Sequence, residues 1–319
     1  MEIREIVSDL RRVGEFKTMS NEKKGVWAAF LAYAIWGAFP LYWKLLEHVP
    51  SMEILLGRVI WSFVFTVLVV IIFGMRKDLI ADLKYLWTHQ KSFWQLACAS
   101  FVISMNWYLY IWAVTHEHLI ETSLGYYINP LLSVIFGVVF FKESLSRAQW
   151  VATAIAFIAV IILTVNYGTV PWVAILIALS FAIYGVLKKK ITLDATRGLA
   201  IETLFILPFA LGYYIYLFTT SQASFLHINI QTDVLMIVSG IVTAVPLILF
   251  AKGAQNIPLY LLGFIQYVAP TIVLILGVVL YKEPFSPVEL LAFSIIWVAL
   301  LLFSGSKILE IRKAHHKSA

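Results

Sequence analysis

Ten runs of mostly apolar residues follow one another along the chain, near 25–45, 53–73, 93–113, 120–140, 147–165, 171–188, 198–218, 233–251, 258–280 and 287–305. Each is close to the ~20 residues an α-helix needs to cross a bilayer core. Inside lipid every peptide N–H and C=O must be satisfied by the protein itself, which a helix does within its own segment. Composition agrees. The chain is 61% hydrophobic and 13% charged, against about 45–50% and 25% in soluble globular proteins. No soluble fold of 319 residues needs that much apolar surface. The expected class is an all-α integral membrane protein with ten transmembrane helices.

The polar stretches are short. Residues 1–24 place Ile3, Ile6, Val7, Leu10, Val13 and Phe16 at near-helical spacing, which predicts a helix lying on the membrane surface. The plainer reading is a frayed tail. A cleaved signal peptide is not expected, because the first apolar run is long enough to span and its charged lead is too long. Within 76–92, Leu79, Ile80, Leu83, Leu86 and Trp87 alternate with charges and suggest a second interfacial helix. Residues 306–319 form a basic tail.

The net charge of +6 invites a nucleic-acid reading, but the basic residues lie in links between apolar runs. They read better as topology signals. With the N-terminus in the cytoplasm, all but three of the 24 Lys and Arg fall on the cytoplasmic side or at its edge; Lys44, Arg58 and Lys282 are the exceptions. The positive-inside rule therefore places both termini in the cytoplasm of a multi-pass cell-membrane protein.

The chain also repeats itself. Shifted by 140 residues, Pro130 falls on Pro270, Ile135 on Ile275, Gly137 on Gly277, and Val138 and Val139 on Val278 and Val279. Lys142 and Glu143 fall on Lys282 and Glu283, and Ser146 on Ser286. Two unrelated apolar helices would share Leu, Ile and Val, but not Pro, Gly, Lys, Glu and Ser in register. The two units are 25–165 and 171–305, with five spans each. An odd number of spans makes the second unit enter from the opposite side, so the repeats are inverted. Inverted repeats recur in secondary transporters, with the substrate site where the halves meet.

Four stretches carry a family resemblance: NWYLYIWAV (106–114), ETSLGYYINPLLSVIFGVVFFKESLS (121–146), IETLFILP (201–208) and LLGFIQYVAPTIVLILGVVLYKEPFS (261–286). They resemble the RarD-type branch of the EamA family, in the drug/metabolite transporter superfamily. The resemblance covers about 25 to 305. It implies ten helices in two five-helix repeats, cytoplasmic termini and an export role. The branch carries the label "chloramphenicol-sensitive protein", which is not a substrate assignment, and it supplies no binding residues to carry over.

Candidate site residues therefore come from the chemistry of the spans. Pro130 and Pro270 lie near mid-span, where each removes a hydrogen bond and clashes with the carbonyl four residues earlier. Those carbonyls, of Tyr126 and Gln266, must line a cavity or find a partner. The reading is a pair of kinked helices around a central site; the plainer alternative is a packing kink. In the fourth span Glu121, Gly125, Asn129, Ser133 and Gly137 recur every four residues and share a helix stripe. Its upper part, with Tyr126 beside it, suits a pathway. Ser133 and Gly137 suit a close packing seam. The ninth span offers Gln266, Tyr267 and Thr271 instead.

Arg58, about two turns into the second span, needs a carboxylate, a ring of carbonyls or an anionic substrate. Glu121 is the expected partner, and a snorkelling side chain is the alternative. Glu202 would pair Lys188 or Arg197, or titrate as a proton site; proton coupling would run through Glu121 or Glu202, with facilitated diffusion as the alternative. Trp36, Asn106, Tyr126 and Tyr184 lie deep or beside polar neighbours. With Asn129, Gln266 and Tyr267 they are the substrate-binding candidates, suited to an amphipathic or aromatic organic molecule.

No phosphate-binding loop, nucleophile elbow, zinc motif or cysteine pair occurs. No cofactor, metal or nucleic acid is expected, and no enzyme activity. The expected partners are a small-molecule substrate and the bilayer, with a homodimer allowed. The reading is a secondary transporter, by direction an exporter, working by alternating access. The rivals are a non-transporting membrane sensor or assembly partner, and a membrane-embedded enzyme.

Overall fold

The computed structural model describes residues 21–116, 119–168, 170–282 and 286–318, the side chains of 114, 115, 119–121, 308 and 310–318 excepted. The expected helix over 1–24 and the side chain of Glu121 thus fall almost wholly or wholly outside the described residues. Among the described residues ten helices are long and apolar enough to cross a membrane: Asn21–Leu46, Ser51–Ile72, Gln90–Ala113, Thr122–Phe141, Arg147–Tyr167, Trp172–Lys190, Ala195–Thr219, Ile230–Asn256, Leu259–Leu280 and Pro287–Lys307. They are numbered here as the first to tenth spans. The last helix runs on to Ser318.

Local sequence sets several boundaries. Ser146 and Gln149 form a reciprocal capping box at the start of the fifth span, and Gly168, at φ 84°, ends it. The Asp194 side chain caps the seventh span through the N–H groups of Thr196 and Arg197. Asn229 caps the eighth through Thr232. The 76–92 stretch does form a helix, Arg76–Thr88. Its Leu86 is buried in the bundle, while Ile80 and Trp87 stay exposed.

The packing has a twofold logic. The second span lies along the seventh and eighth, the third along the sixth and seventh, the fourth along the sixth and ninth, and the fifth along the tenth. The first span crosses the eighth and ninth at glycines. A Cβ on Gly253 would meet Ala29, and one on Gly37 would meet Ala269 and Ile272. Exchanging the halves, first with sixth, second with seventh and so on, maps this set of neighbours onto itself. That is the arrangement of two inverted five-helix repeats.

Contacts across the links define two ends of the bundle. At the lysine-rich end Arg197 Nε meets Asp82 at 2.5 Å, Lys189 meets Glu143 at 3.4 Å and Lys307 meets Glu22 at 3.1 Å. At the lysine-poor end His48 reaches Thr232 at 2.9 Å, and Lys44 lies 4.4 Å over the Tyr281 ring.

Two acids tie the repeats together through backbone. At the lysine-rich end Lys142 adopts φ 53° and turns the chain back. Glu143 then accepts the N–H groups of Leu259 and Tyr260, at 2.8 and 3.0 Å. The fourth-span link thereby caps the ninth span. The carboxylate lies where a side chain on Gly137 would be. At the lysine-poor end Glu53, fully buried, accepts the N–H groups of Ser224 and Phe225 at 2.8 and 2.9 Å. Replacing Glu143 with Ala is expected to cost about 1–2 kcal/mol, the usual range for a lost helix N-cap, and to lower the thermal unfolding midpoint of the detergent-purified protein. Unchanged unfolding would show that the cap contributes nothing.

Candidate functional site

Towards the lysine-rich end the centre of the bundle is filled by rings. Tyr184 stacks on Phe250 at 5.6 Å between centroids. Trp36 packs on Phe250 at 5.6 Å and on Phe181 at 5.7 Å. Tyr33 sits 5.3 Å from Trp36. Tyr33, Tyr184 and Phe250 are almost fully buried. Below them Lys188 Nζ meets Glu202 Oε1 at 2.6 Å, and the Tyr184 hydroxyl donates to Glu202 Oε2 at 3.2 Å. Lys188 and Glu202 are both buried, so each is neutralised by the other. Of the two partners expected for Glu202, Lys188 is the one it meets. Arg197 turns to Asp78 and Asp82 on the interfacial helix.

The polar stripe of the fourth span faces the sixth. The Asn129 amide donates to the Ala178 carbonyl at 2.8 Å, and Ser133 donates to Asn129 at 3.3 Å. A Cβ on Gly125 would come within 3.1 Å of the Ala174 carbonyl oxygen. Asn106, from the third span, donates to the Ile177 carbonyl and to Ser180 at 2.8 and 2.9 Å. In the ninth span Gln266 accepts from Tyr33 at 3.4 Å, and Tyr267 donates to the Tyr127 carbonyl at 3.3 Å. These four, Asn106, Asn129, Gln266 and Tyr267, are buried. Their polar groups join spans to one another.

The two prolines differ. Pro130 lies within one continuous helix, Leu119–Phe141. The ninth span instead breaks into Leu259–Gln266 and Val268–Ile275, followed by a π-helical turn at Leu276–Leu280. Pro270 falls just after the break. The spans cross closely here, since a Cβ on Gly263 would lie 2.7 Å from the Pro130 carbonyl oxygen.

A different environment lies towards the lysine-poor end. The Arg58 guanidinium stands 4.5 Å from the Trp107 ring centroid and 5.6 Å from that of Trp43. Its Nε is buried without a hydrogen-bond partner. Among the described residues no carboxylate pairs with it; the side chain of the expected partner, Glu121, is outside them. Tyr110 and Tyr126 lie within electrostatic reach of the guanidinium, with their rings 6.3 Å apart. They keep 37% and 45% of their surface exposed. First, second, third and fourth spans each contribute to it.

Sequence reasoning named Arg58 and Tyr126 but missed Trp43. Its signal was weak: one aromatic near a helix end, where Trp is ordinarily part of a belt. Trp107 and Tyr110, three apart on one helix face, were a better clue. Phe250 carried no signal among many apolar neighbours.

Comparison with known proteins is consistent across the whole length. The model of the EamA-like transporter family matches twice, at residues 23–165 and 169–305. An uncharacterized transporter, YojE, of Bacillus subtilis is 46% identical over 91% of this chain and 96% of its own. Protein RarD of Escherichia coli K12 is 41% identical over 88% of this chain and 94% of its own. A crystal structure sharing 18% identity superposes with a TM-score of 0.67, covering 88% of this chain and 96% of that one.

Lys188→Met leaves the Glu202 carboxylate buried and unpaired, and is expected to cost about 3–5 kcal/mol. Adding Glu202→Gln should recover most of that loss, because the buried charge is gone. Thermal unfolding of the two variants in detergent checks both steps, and a Lys188→Met protein as stable as the parent contradicts the pairing.

Proposed function

The chain belongs to the EamA-like transporter family, and from that premise we propose that it is a secondary transporter of a small organic molecule. The two halves, 25–165 and 171–305, move against one another about the pseudo-twofold axis and expose one central site to each side in turn. Net movement is outward across the cell membrane, with the lysine-rich end and both termini in the cytoplasm.

The observation that carries this reading is the contrast along the bundle axis. At one end the rings of Tyr33, Tyr184 and Phe250 and the Lys188–Glu202 pair are packed tight. At the other, the aromatic ring around Arg58 retains exposed surface. Tight packing at one end and looser packing of aromatic side chains at the other support one half of an alternating cycle, and the inverted repeat supplies the other half by exchange of roles. The aromatic walls suit an amphipathic organic substrate, held by flat contact area and oriented by a few polar groups.

Flux tests the proposal. Purified protein in proteoliposomes, loaded in turn with amino acids, small aromatic amphiphiles and chloramphenicol, should give saturable uptake of one class with acceleration by substrate on the opposite side. A pH gradient decides coupling. If Glu121 carries the proton, Glu121→Gln loses gradient-driven accumulation but keeps exchange. Saturable binding with no exchange, from folded and inserted protein, would overturn transport in favour of a sensor.

A further inference from the structure

Resting on the transporter reading, we propose that Arg58, Tyr110 and Tyr126 form an anion-recognition site, and that the substrate is an organic carboxylate with an aromatic or apolar body. A guanidinium about two turns inside a membrane helix is costly unless something compensates its charge. Trp107 and Trp43 supply part of the compensation through their ring faces. Neither accepts a strong hydrogen bond. The Nε donor remains unfilled, and neither phenol makes a hydrogen bond to a described residue. The acid nearest in its own helix, Glu53, already holds the backbone of Ser224 and Phe225. The polar groups left open here are therefore a cation and two hydroxyls, all able to donate.

That set is complementary to an acceptor-rich anion. The planar guanidinium fits a carboxylate through two parallel N–H donors. The phenols can complete the carboxylate's remaining lone pairs. The indole and phenol faces then cover a flat hydrocarbon body. A snorkelling arginine would carry its head group out to the interface; here the Nε is buried between indoles instead. The site lies towards the lysine-poor end, where four spans converge, away from the packed rings at the lysine-rich end.

The test is binding to the full chain in lipid nanodiscs, read by tryptophan fluorescence and calorimetry, with three probes of one shape: 3-phenylpropionate, its neutral amide, and phenethylammonium. The carboxylate should bind saturably, and the amide and the cation at least about tenfold more weakly, the factor expected from losing a charge-assisted pair. Arg58→Met should weaken the carboxylate at least about tenfold while leaving the amide unchanged, and Arg58→Lys should fall between them because it keeps charge but loses the fork. Gel filtration and thermal unfolding confirm that both variants are folded, and the comparison of acid with amide needs no variant. Equal binding of acid and amide, carboxylate binding unchanged in Arg58→Met, or no carboxylate binding by folded protein overturns the site. Counterflow in proteoliposomes is scored separately. Carboxylate binding without counterflow removes the transport reading and leaves the site, whereas counterflow indifferent to the carboxylate removes the site and leaves transport.

Discussion

Peptide groups inside a bilayer have no water to fall back on, and most of this architecture answers that constraint. Each span satisfies its own interior, but the first N–H groups of every helix are left over. Short polar side chains meet this need at the fifth, seventh and eighth spans. The ninth span begins at Leu259, directly after Pro258, where no local side chain caps it. Its donors are met by Glu143, more than a hundred residues away in sequence and in the other half. Glu53 does the same for the loop before the eighth span. These two acids are therefore among the parts that fasten one repeat to the other.

The ring around Arg58 shows the opposite solution. Here the guanidinium meets indole faces, and among the described residues no carboxylate pairs with it. At the far end Glu202 and Lys188 neutralise one another under packed rings. Lys188 thus has a carboxylate from the protein as its partner, whereas Arg58 is met by ring faces.

The spans, their number and the inverted repeat were legible because each leaves a mark along the chain: run length, charge in links, and a register of Pro, Gly, Lys and Glu. Most helix ends were predicted within a few residues; the eighth helix is longer, at Ile230–Asn256, and the last runs on through the expected tail to Ser318. What was not legible depends on which helix face meets which neighbour. The stripe of Asn129 and Ser133 is the same pattern whether it lines a path or seats against backbone, and that Asn129 meets the Ala178 carbonyl is set by packing the sequence does not record. The paired prolines predicted paired kinks, yet the ninth span breaks where the fourth runs on. Arg58 was recognisable as a group in need of a partner, but Trp43 could not be assigned to it, because a tryptophan near a helix end has an ordinary reason to be there.

The second, fourth and fifth spans each lie beside their own counterparts, the seventh, ninth and tenth. This is the geometry of a homodimer interface, where the same patch meets itself across an axis. In a dimer of identical subunits a substitution appears on both sides of that axis at once, and must be tolerated twice. Joined in a single chain, the two sides inherit changes separately. One copy can keep a packed amide while the other keeps a broken helix. Fusion of the halves thus frees an interface that was once symmetric to become specialised, without giving up the symmetric framework that holds it.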